Sequence, residues 1–232
     1  MLDAKLLTLL ATFDTPTICN ALEIVAPERR ATGFTVRPLV CPFPDLPPIC
    51  GYAKTATIRS THAHELSGKP ARDQRIAYYE YMASKPAPSI CVIQDLDGHD
   101  VGFGAFWGEV QSTVHKALGL LGVVTDGCIR DIPQWAPGFQ ALAGSIAPSH
   151  AHVHLAGFGS QVRIHGMLVR SGDLVHADRH GAVVIPEGVA AKIPAACDLL
   201  ARKEAVILNL ARKPGFEVAL LRDALQKMDE IH

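Results

Sequence analysis

The sequence has almost no charge imbalance: 22 Lys and Arg against 23 Asp and Glu leave a formal net charge of −1 over 232 residues. No Lys/Arg run interrupts that balance. The chain therefore lacks the electrostatic footprint of a nucleic-acid binder or of a protein that docks on anionic membranes. Charged residues are scarce altogether, 19% against 48% hydrophobic, which excludes intrinsic disorder and permits a sizeable core. No apolar run reaches the ~18 residues that a membrane span requires. The first fourteen residues place an acid at position 3 and a base at position 5, and no small-residue cleavage site follows. They read as an amphipathic helix rather than an export signal. None of the six cysteines (Cys19, Cys41, Cys50, Cys91, Cys128, Cys197) belongs to a C-x-x-C pair. Reduced thiols and a cytoplasmic location are the expectation, although a Cys41–Cys50 disulfide is geometrically possible. Internal repeats, a Walker loop, a Rossmann fingerprint and a G-x-S-x-G nucleophile elbow are also missing.

What is present alternates between helix and strand. Helices are expected over 2–13, from a cap at Thr15 or Thr17 through Ile24, and over 72–85, 108–118, 186–211 and 216–227. Strands are expected over 35–37, 53–59, 89–94, 122–126, 140–146, 161–170, 174–177 and 182–185. Residues 41–50 contain four prolines and read as an extended loop between strands. The β-after-β stretch at 160–186, with Gly166, Gly172 and Gly181 at its turns, predicts a mixed α/β fold rather than a purely doubly wound sheet. Residues 1–232 are expected to form one domain, with a helical extension over 1–30 and C-terminal helices over 186–232.

The most informative segment runs from Gly108 to Asp131. Val110, Val114, Ala117, Leu118 and Leu121 recur at helical spacing, which predicts that this face is buried. Glu109 then stands at the helix start. The next amides, those of Val110 and Gln111, lack intrahelical acceptors and offer an anion site. The strand over 123–126 must end at Gly127, so Arg130 and Asp131 project from the loop beyond it. Arginine offers a bidentate fork to a carboxylate, and aspartate a hard oxygen to a divalent cation. An Arg-Asp pair at a turn also serves as a surface ion pair or a helix cap, and an acid at a helix start also complements the dipole.

Here the sequence resembles the RraA-like family. Its pattern of an acid, twenty residues and Arg-Asp is met by Glu109 and Arg130-Asp131. Thr17-Ile-Cys-Asn-Ala-Leu22, Ala105-Phe-Trp-Gly-Glu109 and the Gly172-Asp173…Asp178…Gly181…Pro186 block match further stretches, so the resemblance covers residues 15–210. That family includes the regulator of ribonuclease E activity A and the metal-dependent 4-hydroxy-4-methyl-2-oxoglutarate / 4-carboxy-4-hydroxy-2-oxoadipate aldolases. Some members carry a mistaken demethylmenaquinone methyltransferase label. The resemblance implies a swivelling β/β/α sandwich, assembled as a homotrimer or hexamer. It implies a lyase that cleaves a 4-hydroxy-2-oxo acid to pyruvate, with oxaloacetate decarboxylation as a side activity. By the same resemblance Asp131 would ligate Mg²⁺ or Mn²⁺, and Glu109 would hold metal-bound waters. Arg130 and the amides of Val110 and Gln111 would grip the substrate carboxylate. A neighbouring subunit would lend an acid. On a helical wheel from Ile193, Glu204 falls about 20° off, inside the apolar stripe of the last long helix, where it also reads as an end-of-stripe acid reaching solvent; the family often carries a Glu at this point, so the resemblance implies Glu204 as the candidate.

Three departures stand out. Glu109 is one methylene longer than the family's usual Asp, Ser171 replaces a proline, and Gln134 supplies no acid where the regulator branch carries Glu. The alternative, a non-catalytic protein-binding regulator, is disfavoured by Gln134 and by several helices beyond that branch's length. Eleven histidines are many for this length. His62/His64 and His150/His152/His154 have the i, i+2 spacing of strand-borne metal ligands, but also read as solvated loop residues. His176 and His180 flank Asp178 and are candidates for a pocket or an interface.

Overall fold

The computed structural model describes residues 2–231. In chain order its first half comprises α1 (Ala4–Leu10), α2 (Thr15–Val25), β1 (Ile49–Arg59), α3 (Gly68–Ala83), β2 (Ser89–Asp95), α4 (Glu109–Ala117) and β3 (Leu120–Thr125). Short strands follow: β4 (Cys128–Ile129), β5 (Gln140–Leu142), β6 (Ser145–Ile146), β7 (His154–Phe158), β8 (Val162–Ile164) and β9 (Met167–Val169). The chain closes with β10 (Leu174–Asp178), β11 (Gly181–Ile185), α5 (Ile193–Ala211) and α6 (Val218–Asp229).

The main sheet runs β11-β10-β1-β2-β3-β5. β1, β2, β3 and β5 are parallel, and β10 and β11 are antiparallel. β1 is long enough to serve two partners along one edge: Ile49–Tyr52 pair with β10, and Ala56–Arg59 pair with β7. Strand periodicity then sorts the core into layers. Even-numbered residues of β1 face helices: Cys50 and Tyr52 pack with α1, α2 and α5, and Ala56 and Ile58 pack in the cluster that holds α3 and Trp107. Odd-numbered Ile49 and Ala53 face the β8–β9 hairpin through Val162, Ile164, Met167 and Val169. The result is the expected mixed α/β fold, a sheet between a helical layer and a β layer. No helix among the described residues is long and apolar enough to cross a membrane.

Several expectations shift in detail. Asp14 caps α2, accepting the Thr17 N–H at 2.9 Å, whereas Thr15 is buried in the first turn. The Thr15 N–H donates to Asp178 Oδ2 (2.9 Å), and its hydroxyl donates to His176 Nδ1 (3.0 Å), whose Nε2–H donates to the Leu10 carbonyl (3.2 Å). His176 is therefore spent inside the fold rather than in a pocket. The strand expected at 35–37 reduces to a bridge between Phe34 and Val183, made by the Thr35 N–H on the Ala182 carbonyl and the Val184 N–H on the Gly33 carbonyl, with a further bond from the Val36 N–H to the His165 carbonyl. The strand expected over 140–146 is two pieces broken at Gly144, where a Cβ would lie 1.9 Å from the Asp126 carbonyl oxygen. Residues 187–192 form a 3-10 turn, and α5 begins after it; Pro194 occupies its first turn, where a missing N–H costs nothing. All six cysteines are free, so the Cys41–Cys50 pairing does not form.

The predicted buried face of α4 is also corrected. Val110 is 68% exposed and Ala117 is exposed; the fully buried positions are Ser112 and His115. Apolar periodicity misses them because their polarity is internally satisfied. Ser112 Oγ donates to the Glu109 carbonyl and accepts the Ala136 N–H. His115 Nδ1–H donates to the Gln111 carbonyl at 2.7 Å, and Nε2 accepts the Tyr78 hydroxyl at 2.7 Å.

Burial holds the His115 imidazole neutral, its pKa lowered from 6.5 to about 4. The unfolded chain takes up this proton from about pH 6.5 downward, and the folded chain resists until about pH 4. Up to about 3 kcal/mol of stability is therefore lost as pH falls through that window. Urea midpoints at about pH 7 and about pH 4.5 should show the drop, and His115→Gln should shrink it. A drop of unchanged size in the variant contradicts this assignment.

Candidate functional site

The two halves of the Glu109–Asp131 segment meet because the chain between them is a closed excursion. It leaves along α4, returns along β3, turns at Gly127 and re-pairs as β4. Trp107 bridges Ile129 in parallel, and the Arg130 N–H donates to the Trp107 carbonyl at 2.9 Å. That pairing places Arg130 and Asp131 beside Gly108 and the first turn of α4. Trp107 itself is fully buried, stacked 5.9 Å from Phe139.

Asp131 adopts a left-handed backbone conformation, φ 55° and ψ 40°. Aspartate tolerates this region better than most residues, but it is sparsely populated, and such conformations gather at functional sites. The carboxylate is turned onto the start of α4. Oδ2 accepts the Glu109 N–H at 3.3 Å and lies 3.6 Å from Arg130 Nε. These contacts engage Oδ2 alone. A Cβ on Gly108 would lie 2.4 Å from that oxygen, so glycine is required for the close approach. The Arg130 and Asp131 side chains remain about one third exposed, 35% and 38%.

Gly108, Val110, Gln111, Arg130 and Asp131 line one cleft of about 300 Å³. The amides of Val110 and Gln111 lie in the first turn of α4, where a helix provides no acceptor for them. Gln111 is steadied from α3, its Oε1 accepting the Tyr79 hydroxyl at 3.1 Å. Glu109 is exposed at the head of α4, beside the cleft rather than among its lining residues. Glu204 lies elsewhere: it is exposed on α5, whose buried residues are Ile193, Ala196 and Cys197.

The rest of the lining was not legible as such in the sequence. It includes Arg75 of α3 with His64, His150 and His154. The histidines stood out only as possible metal ligands, and one of them begins a strand, β7, that was expected to be loop. Arg75 gave no signal at all. Among the described residues no group of three or more His, Cys, Asp or Glu side chains converges to hold a metal. His180 instead pairs with Asp178, at 3.1 Å between Nδ1 and Oδ1.

The donor set at Asp131 suits one class of cation. A single carboxylate with Glu109 nearby is no multi-ligand cage, but Mg²⁺-type ions bind through one or two carboxylates, keeping several waters and leaving positions for substrate. The carboxylate held where a Gly108 Cβ would otherwise stand supports that fit.

A family model described as "RraA-like: Aldolase/RraA" matches residues 15–184. An uncharacterized protein of Methanocaldococcus jannaschii is 31% identical over 96 residues, 40% of this chain and 46% of that protein. A protein of Halalkalibacterium halodurans, whose name proposes it as a 4-hydroxy-4-methyl-2-oxoglutarate aldolase, is 28% identical over 141 residues, 58% of this chain and 66% of its own length. The matches thus span about half of the first relative and just under two thirds of the second. In fold, the chain is similar to the crystal structure of a Streptomyces coelicolor protein described as an unusual member of the RNase ES inhibitor RraA family. The TM-score is 0.66 and the identity 23%, over 91% of this chain and 97% of that one.

Proposed function

This chain belongs to the RraA-like family, and from that premise we propose that it is a divalent-metal-dependent lyase cleaving a 4-hydroxy-2-oxo acid to pyruvate. The observation that carries this reading is the convergence of Arg130, the first amides of α4 and the Asp131 carboxylate on one cleft.

In this reading the Arg130 guanidinium takes the substrate carboxylate, and the N–H groups of Val110 and Gln111 complete the clamp. Asp131 would hold Mg²⁺ or Mn²⁺, with Glu109 and a partner subunit's acid, for which Glu204 is the candidate, bonded to its waters. When bound, the cation supplies Lewis acidity to the 2-oxo group, where charge develops as the C3–C4 bond breaks. The chain's own part is to fix the carboxylate end so that this bond lies over the Asp131 side of the cleft. The half-buried rings of Phe106 and Tyr79 and the buried Leu155 narrow its access to water. Oxaloacetate, which also loses its C4 group to leave pyruvate, is a second substrate. The six unpaired thiols support a cytoplasmic location, and a trimer or hexamer is the assembly that would bring Glu204 to a neighbour's cleft.

The test is pyruvate release from 4-hydroxy-4-methyl-2-oxoglutarate and from oxaloacetate. Release that requires Mg²⁺ or Mn²⁺ and stops with EDTA is expected. No release from either, in a folded protein with the cation present, points instead to the regulator role.

A further inference from the structure

The part of the cleft lining formed by Arg75 and the histidines has no role in the clamp, yet its loops are tied down by hydrogen bonds. The loop carrying His64 is anchored by Asp97, whose carboxylate accepts the Ser60 N–H (2.6 Å) and hydroxyl (2.8 Å) and the Thr61 N–H (3.1 Å) and hydroxyl (3.1 Å). The loop carrying His150 is tied to it through the His152 N–H, which donates to the Ser60 carbonyl at 3.1 Å. Ala105 N–H, donating to the Ser149 carbonyl at 2.9 Å, fixes that loop to the strand leading into the site. The outcome is a pair of imidazoles, His64 and His154, stacked with centroids 4.4 Å apart and planes at 24°.

The hydrogen bonds of this part of the lining decide what it can bind. His150 Nδ1–H donates to the Ala151 carbonyl (2.7 Å), and His154 Nδ1–H donates to the His152 carbonyl (2.8 Å). Each neutral ring therefore presents Nε2 as a bare acceptor. It becomes a donor to an anion only as imidazolium. The lining counts two arginines and three histidines against one carboxylate, Asp131. Once Arg130 has taken one ligand carboxylate, Arg75 remains as an unmatched cation beside three protonatable rings.

We propose that His64, His150 and His154, with Arg75, form a proton-linked specificity subsite that receives a second carboxylate of the ligand, at the end remote from the 2-oxo acid. The proposal rests on the oxo-acid reading of the cleft. Burial and the neighbouring His154 lower the His64 pKa in the free protein, and Glu65 opposes them. The other titratable or charged groups around it are His62 and His152 on the two loops, Arg75 and Tyr79 of α3, and Arg130 and Asp131 in the same cleft. A second carboxylate raises the imidazole pKa, so binding takes up a proton. Affinity for a dicarboxylate must then fall as pH rises through the bound-state value, while affinity for a monocarboxylate changes little.

The experiment is calorimetric titration of the full chain, with Mg²⁺ present, using pyruvate and 2-oxoglutarate; neither carries the 4-hydroxyl needed for cleavage. At about pH 6 the wild type should bind 2-oxoglutarate about tenfold more tightly than pyruvate, with buffer-dependent heat reporting proton uptake, and the preference should fade by about pH 8. The double variant His64→Gln/His154→Gln should bind both acids alike, with pyruvate affinity unchanged as proof of an intact site. Arg130→Ala should lose both ligands. A wild type without preference, or a double variant that keeps it, overturns the subsite. Pyruvate binding that survives Arg130→Ala overturns the oxo-acid reading instead.

Discussion

Replacing Arg130 by alanine should lower kcat/KM for pyruvate release by about 10²–10³-fold, the loss expected when one partner of a hydrogen-bonded charge pair is removed. Arg130 is expected to matter for the clamp and little for the fold. Its place in the chain is secured by its backbone N–H on the Trp107 carbonyl, which alanine retains. Its side chain is one third exposed and, among the described residues, its ion pair is with Asp131 across 3.6 Å. Thermal stability should therefore stay within about 0.5 kcal/mol of the parent, as for surface substitutions generally. Lysine should recover only part of the loss, because it restores the charge without the planar fork. Steady-state kinetics beside a melting curve separate the two effects. Unchanged turnover in the alanine variant would remove this residue from the site.

Gly108→Ala should cost nearly as much activity by a different route. The added Cβ arrives 2.4 Å from Asp131 Oδ2 and 3.3 Å from Arg130 Cγ. Both neighbours are ends or stems of side chains, so the fold yields by moving them rather than by collapsing. The φ of Gly108 is −165°, ordinary extended backbone, and adds no penalty. The carboxylate must swing off the first turn of α4, losing its 3.3 Å contact with the Glu109 N–H. A displacement on the order of 1 Å at a reacting site costs about 10²-fold. Turnover should thus fall about 10²-fold with a small change in melting temperature, and the metal concentration needed for half-maximal rate should rise. A variant with parental kinetics would show that the carboxylate position is immaterial.

How much of this was legible in advance depended on the kind of interaction. Alternating β and α patterning gave the mixed class, and the acid, twenty residues and Arg-Asp gave one wall of the cleft. That spacing is local in structure, since α4, β3 and a turn return the chain to its starting point. The part lined by Arg75 and the histidines is assembled from α3 and two loops some ninety residues apart, and no sequence spacing encodes their meeting. His115 and Ser112 misled the pattern at α4, because hydropathy cannot see that Tyr78, Gln111 and Ala136 satisfy them. Ser171, where the family pattern has proline, gains a partner in the Tyr81 hydroxyl at 2.7 Å.

By itself the sequence determined the near-neutral charge, the layered α/β class and the identity of Arg130 and Asp131 as a pair beyond a strand, all set by composition, two short periodicities and covalent adjacency. Only the tertiary structure decided that Asp131 takes a left-handed turn onto the head of α4, that Gly108 must be bare to admit it, and that three histidines and Arg75 line the same cleft. Those facts depend on through-space packing between segments the chain keeps far apart, and on hydrogen bonds that fix which ring nitrogen is left to meet a ligand.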